Sequence, residues 1–164
     1  MTRSIGPRLP ETLASLLNGE RLATKIGIAF QCITTTQDGW PYLALVSVGE
    51  LLAVSPTRLR LAIWSGSTSD RNLEREQRCA LALVHAHASY MIRCRASLSG
   101  SLDQTEGPGL SVFSLNVEDV LEDMAPYATL TSGVTYELHD RDAVVAGWRS
   151  VISRLKKDFA LPSP

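Results

Sequence analysis

The sequence predicts a mainly β protein with flanking helices, its strands antiparallel and closed into a barrel. Three observations point there. Apolar residues alternate in several short runs, as Ile26, Ile28, Phe30 and Cys32 do against Gly27, Ala29 and Gln31. Connections between consecutive runs are of hairpin length, among them Gln37-Asp38-Gly39. The runs are also too many for one small open sheet, which implies closure. With 164 residues the chain suits one domain, 1–164, ending in an amphipathic helix over 140–159.

Pro10 to Leu17 reads as a short helix, with Pro in its first turn and Asn18-Gly19 as its stop. The Ile26–Cys32 strand follows, then a strand from Pro41 to Val48, then Leu51–Val54. Ser55-Pro56-Thr57 turns the chain into a strand over Arg58–Trp64. A helix over Ser67–Glu76 precedes strands at Cys79–Ala86 and Tyr90–Leu98, which should pair as a hairpin. Gln104 to Gly109 is a loop of breakers. Leu110, Phe113, Val117, Leu121 and Met124 then recur at helical spacing, and Val134–Leu138 reads as a strand. From Asp140 to Phe159, the residues Val144, Trp148, Val151, Ile152, Leu155 and Phe159 form one helical stripe. Asp140 and Asp142 sit at its start and Arg154, Lys156 and Lys157 near its end, as the helix dipole prefers.

A net charge of −1 argues against bulk binding to nucleic acid or an anionic membrane. No apolar run approaches the ~20 residues of a membrane span, and Met1–Pro10 has no apolar signal core. Cys32, Cys79 and Cys94 are odd in number and sit in strand-like runs. They suit buried, reduced thiols in a cytoplasmic protein.

Candidate chemistry centres on Trp64-Ser65-Gly66-Ser67-Thr68-Ser69-Asp70-Arg71-Asn72-Leu73, where a strand empties into a hydroxyl-rich turn and a helix begins. A helix N-terminus offers free N–H groups and a positive dipole end to a phosphate. Ser67, Thr68 and Ser69 would add donors, and Arg71 a full charge. The competing reading makes Ser67 or Thr68 a helix cap, with Asp70 completing something close to a capping box. The strand face Ala80, Ala82 and Val84 is small beside Leu81 and Leu83, which suits either close approach of another backbone, subunit or flat ligand, or a tight barrel interior.

In order and spacing these pieces resemble the pyridoxamine 5′-phosphate oxidase-like superfamily of FMN-binding split β-barrels. The carrying residues are Thr34-Thr35-Thr36-Gln37-Asp38-Gly39-Trp40-Pro41-Tyr42, Leu59–Trp64, Ser67–Arg75 with its Asn72-Leu73, and Arg78–Val84; Pro126–Val134 looks like a segment of one subgroup. The resemblance implies a homodimer holding FMN in clefts between subunits. It implies that Ser67, Thr68, Ser69 and Arg71 hold the flavin phosphate and that Asn72 and Leu73 belong to the binding helix. It further implies that Ala44, Leu45, Val46 and Ser47 lie along the isoalloxazine, and Ile63 and Trp64 beside the ribityl chain. Many members have Lys where this chain has Ser69, so another cation, Arg71, Arg60, Arg93 or Arg95, would have to replace it. True pyridoxamine phosphate oxidases also carry a C-terminal Arg-x-His, whereas this sequence has its amphipathic helix there.

The expected function is therefore that of an FMN-dependent oxidoreductase with a small-molecule substrate, not a true pyridoxamine phosphate oxidase. The alternative is a flavin- or haem-binding dimer of the same fold that stores or senses its ligand. His85-Ala86-His87 would place two rings on one face of a strand, a geometry open to metal or haem, but a turn pair explains it more simply, and no metal site is expected. No spacing suggests a nucleophile, and the dispersed Asp and Glu read as caps and surface.

Overall fold

The computed structural model describes residues 1–157, and the barrel expectation holds. In chain order the elements are β1 (Thr2–Ser4), α1 (Glu11–Leu16), a 3₁₀ turn at Leu22–Thr24, β2 (Ala29–Thr35), β3 (Pro41–Ser47), β4 (Leu51–Ser55), β5 (Arg58–Trp64), α2 (Thr68–Glu76), β6 (Arg78–His85), β7 (Ala88–Leu102), β8 (Leu110–Asp123) and α3 (Arg141–Lys157). All strands join one antiparallel sheet in the order β3-β2-β6-β7-β8-β5-β4, with β1 added to β8. The end strands β3 and β4 share no ladder, so the barrel is split on that side.

Inward residues follow period two: Phe30, Cys32 and Thr34 on β2, Cys79, Leu81 and Leu83 on β6, Tyr90, Ile92, Cys94 and Ala96 on β7. The small-residue face Ala80, Ala82, Val84 therefore points outward. Part of it is covered by the segment after β8, where a Cβ on Gly133 would lie 3.2 Å from Val84 Cβ. The three cysteines are free and buried. Cys79 pairs directly with Cys94 across β6–β7, and the Cys32 thiol is pushed up in pKa by its hydrogen bond with Cys79 and by burial.

Two expected elements differ. The stretch from Leu110 to Met124, read at helical spacing, is β8 as far as Asp123, the long partner of β7 across the breaker loop. The strand carries a bulge: Arg93 pairs with Asp119 and Cys94 with Val117, leaving Glu118 as an extra residue. Phe113, Leu115 and Val117 alternate inward, and the bulge then sets Val120, three positions on, inward as well. Val134–Leu138 is not a strand. The segment packs Tyr136 and Leu138 against the core with no ladder of its own. The second strand of the hairpin, β7, also extends past the expected Leu98 to Leu102, and β1 has no counterpart among the expected elements.

α3 buries Val145, Trp148, Ile152 and Leu155 against the barrel, matching the expected stripe with Val144 and Val151 partly covered. Phe159 lies outside the described residues. The buried Arg60 side chain donates to the Leu155 carbonyl, fixing the last turn of α3 to β5. No helix among the described residues is long and apolar enough to cross a membrane.

Candidate functional site

β5 ends at Trp64, and Ser65-Gly66 turns the chain into α2. Ser67 has extended backbone (φ −70°, ψ 166°), and its Oγ accepts from Asp70 N at 3.2 Å. Asp70 Oδ2 in turn accepts from Gly66 N at 2.6 Å. The capping arrangement is thus present, with the acidic residue reaching one position further back than in a standard capping box. It uses the N–H groups of Gly66 and Asp70. Among the described residues, those of Thr68 and Ser69 make no capping bond.

Beside this helix start lies a cleft of about 270 Å³ at the split of the barrel. β3 supplies Tyr42, Ala44, Leu45 and Val46, β5 supplies Ile63 and Trp64, and α2 with its cap supplies Ser67 and Ser69. Seven of the residues singled out from sequence therefore meet in one place. Its lining also includes Glu50, from the β3–β4 turn, which the sequence reading passed over as one of the dispersed surface acids. The available signal was local. Glu50 sits between two buried pairs, Val48-Gly49 and Leu51-Leu52, in a turn too short to carry it out to solvent.

The Ser69 hydroxyl is the most informative atom here. Ser69 is 4% exposed, lines the cleft, and its Oγ has no hydrogen-bond partner. A buried unpaired hydroxyl is costly, so an orphan of this kind calls for a ligand or ordered water. Ser47 lies beside the cleft and is engaged with Glu50 Oε2, which accepts from Ser47 N at 2.7 Å and Ser47 Oγ at 2.8 Å. Burial raises the Glu50 pKa, and these two bonds only partly oppose it.

The remaining candidates lie elsewhere. Thr68, Arg71 and Asn72 line a second, wider cleft of about 500 Å³ on the other side of α2, together with Thr36, Gln37, Asp38 and Arg75. Arg71 donates to the Gly66 carbonyl and approaches Thr68 Oγ1 at 3.4 Å, so its charge sits behind the turn. Asn72 is buried, donating to Thr34 Oγ1 at 3.0 Å and accepting from Arg75 at 3.0 Å. Leu73 lies in the core and lines neither cleft. Of the other cations weighed, Arg60 is committed to α3, and Arg95 pairs with Glu118 at 3.0 Å.

His85 closes β6, and Ala86 and His87 form a two-residue turn with φ of 48° and 66°. The pair thus spans a strand end and a turn, not one strand face. His87 Nδ1 lies 3.0 Å from the Leu130 carbonyl, and neither ring lines the Ser69 cleft. No cluster among the described residues has the makings of a metal site.

An antiparallel barrel split between its end strands, with a cleft at that split, defines the pyridoxamine 5′-phosphate oxidase-like split-barrel fold. A solved structure from Lactobacillus delbrueckii, provisionally named a pyridoxamine 5′-phosphate oxidase, matches with TM-score 0.55 and 20% identity over 72% of this chain and 98% of that one. An F420 reductase matches with TM-score 0.50 and 13% identity over 68% and 98%. No protein-family model matches the chain. In sequence it is 32% identical over 149 residues to the uncharacterized protein YclD of Bacillus subtilis (strain 168), covering 91% of this chain and 96% of that protein. The chain belongs to the family of YclD.

Proposed function

We propose that this chain is an FMN-binding flavoprotein whose cleft between β3, β5 and the start of α2 holds the cofactor, and that it works as an oxidoreductase on a small molecule. One observation carries the reading: the orphaned Ser69 hydroxyl, buried in that cleft at a helix N-terminus with the N–H groups of Thr68 and Ser69 beside it. Those donors suit a phosphate, and the apolar stretch formed by Ala44, Val46 and Ile63 suits a flat heterocycle. The names of the solved relatives, one a pyridoxamine phosphate oxidase type and one an F420 reductase, agree with a flavin-like ligand. Bound FMN would supply the electron-transfer chemistry, while the chain orients it and keeps water from it.

The cleft is open on one side, and apolar residues surround that opening. Leu43 and Leu45 are about half exposed on β3, whose outer edge has no strand partner, and Trp64 is 64% exposed. An uncovered apolar edge strand needs a cover. A second copy of the chain is the cover proposed here, with the cofactor enclosed between the two.

The test is direct. Purified protein should be yellow or become so with FMN, and FMN should bind far more tightly than riboflavin. NADH or NADPH should then reduce the bound flavin. Equal affinity for FMN and riboflavin would remove the phosphate assignment, and a Soret band in place of flavin absorption would replace FMN by haem.

A further inference from the structure

We propose that Glu50 is the residue that selects the ligand's heterocycle, by accepting a hydrogen bond from a ring N–H. This rests on the FMN reading above, where that N–H is the imide group of the isoalloxazine.

The cleft is polarised along its length. At one end α2 offers donors: the Ser69 hydroxyl and the free N–H groups of the first helical turn. β5 carries the lining away from there through Trp64 and Ile63, and the buried Ala62 before them donates its N–H to the Glu50 carbonyl at 2.8 Å. Glu50 therefore stands further along β5 from the start of α2 than Trp64 and Ile63, and among the described residues that line the cleft its side chain is the only carboxyl. A ligand with an anionic group, a flat apolar body and a far N–H would meet donor, apolar and acceptor surfaces in that order.

The carboxyl is also held ready. Ser47 N and Oγ both donate to Oε2, while no described residue donates to Oε1. The backbone of the turn is pinned from β5 through Ala62, and from α3 through Trp148, which packs directly on Gly49. An ionised carboxylate can only accept, so Oε1, which no described residue reaches, is open to a donor such as a ring N–H. Burial weakens the ionised form, and a donor from the ligand would restore it.

The experiment titrates the intact protein with FMN and with FMN methylated at the imide nitrogen, following flavin fluorescence. Wild type should bind the methylated form roughly tenfold to a hundredfold more weakly, as expected for losing a hydrogen bond to a charged acceptor. Glu50→Ala should bind FMN more weakly and treat the two forms alike. Glu50→Gln, which keeps the shape and one carbonyl acceptor, should fold normally and regain part of the discrimination. If wild type binds both forms equally while still preferring FMN to riboflavin, the Glu50 assignment fails and the FMN reading stands. If Glu50→Ala and Glu50→Gln both discriminate as wild type does, the assignment also fails. If no flavin binds at all, both readings fall together.

Discussion

Gly49 lies directly beneath the Trp148 indole: a Cβ on Gly49 would sit 1.9 Å from Trp148 Cγ and 2.0 Å from Cδ1. No side chain fits there, so the β3–β4 turn and α3 meet backbone against ring. The consequence reaches the cleft, because Glu50 is the next residue. Among the described residues none of α3 lines the cleft, yet the helix packs against the residue beside the carboxyl that does.

Gly49→Ala should therefore destabilise the fold by about 1–3 kcal/mol through overpacking. Trp148→Ala, which empties the same contact, should cost on the order of 3–5 kcal/mol. The two should be non-additive, since losing the ring removes the two closest contacts of the added methyl and leaves only the 2.6 Å approach to the Cβ of residue 148 to be relieved. Urea denaturation of the four proteins in this cycle measures the coupling. Additive losses would mean that ring and turn do not bear on one another.

A second prediction concerns how α2 is seated. Asn72 joins the helix to β2 through Thr34, 3.0 Å away, and takes a bond from Arg75, which itself donates to the Thr35 carbonyl at 2.6 Å. Asn72→Ala leaves the buried Thr34 hydroxyl without that donor, at a cost of roughly 1–3 kcal/mol. Asn72 lines the outer cleft and not the one assigned to flavin, so FMN affinity measured on the folded fraction should hardly change.

Much of this arrangement was legible in the residues. The Gln37-Asp38-Gly39 turn, the alternation on β2 and β6, and the hydroxyl turn opening α2 each have a local physical cause, and each lies where that cause puts it. β8 reads at helical spacing because both its faces are apolar or buried from Leu110 to Leu115 and because a bulge is invisible in a single strand: Glu118 is extra only relative to β7, and its insertion makes the inward step from Val117 to Val120 three residues long. Val134–Leu138 has strand-like composition, but a strand needs an open edge beside it, and composition carries no such information. At the site, Arg71 shows that spacing places a residue without giving its side chain's bonds. Its spacing from Ser67 is right for a shared helix end, while its side chain bonds behind the turn.

Glu50 also gives the protein without ligand a characteristic pH dependence. Its folded pKa is raised by burial, while the unfolded chain titrates in the ordinary carboxylate range, so the folded state holds the proton more tightly. Its contribution to stability is therefore greatest below the ordinary range. It falls as pH rises from there to the raised value, and is level above. Glu20 and Glu122, lowered by their bonds from Lys156 and Arg3, act with the opposite sign. The informative quantity is thus the difference between wild type and Glu50→Gln, measured as denaturation midpoint against pH. That difference should shift in favour of the variant as pH rises through the window, and a difference flat with pH would contradict the burial of this carboxyl.

The edge of β3 supplies a fourth prediction. Leu43 is exposed, paired on one side with Ile33 of β2, and lies outside the cleft lining. Leu43→Glu should leave the fold intact but place a charge in the proposed contact between copies. Light scattering at micromolar concentration should find a dimer for wild type and a monomer for the variant, with FMN affinity falling alongside. A wild-type monomer would remove the enclosed cleft.

The two serines at the start of α2 separate capping from ligand binding. Ser67 Oγ accepts from Asp70 N, so Ser67→Ala removes a cap and should cost about 1 kcal/mol of stability. Ser69 Oγ accepts and donates nothing within the described chain, so Ser69→Ala removes an orphan and should leave stability unchanged or slightly higher. Affinity should respond in the other order. Ser69→Ala should weaken FMN binding roughly 5- to 10-fold while leaving riboflavin binding as it was, because the proposed site gives that hydroxyl to the phosphate alone. Thermal denaturation and flavin titration on the same two variants give both readings. If Ser69→Ala lowers stability by as much as Ser67→Ala and binds FMN as wild type does, the hydroxyl serves the helix and the phosphate site is lost.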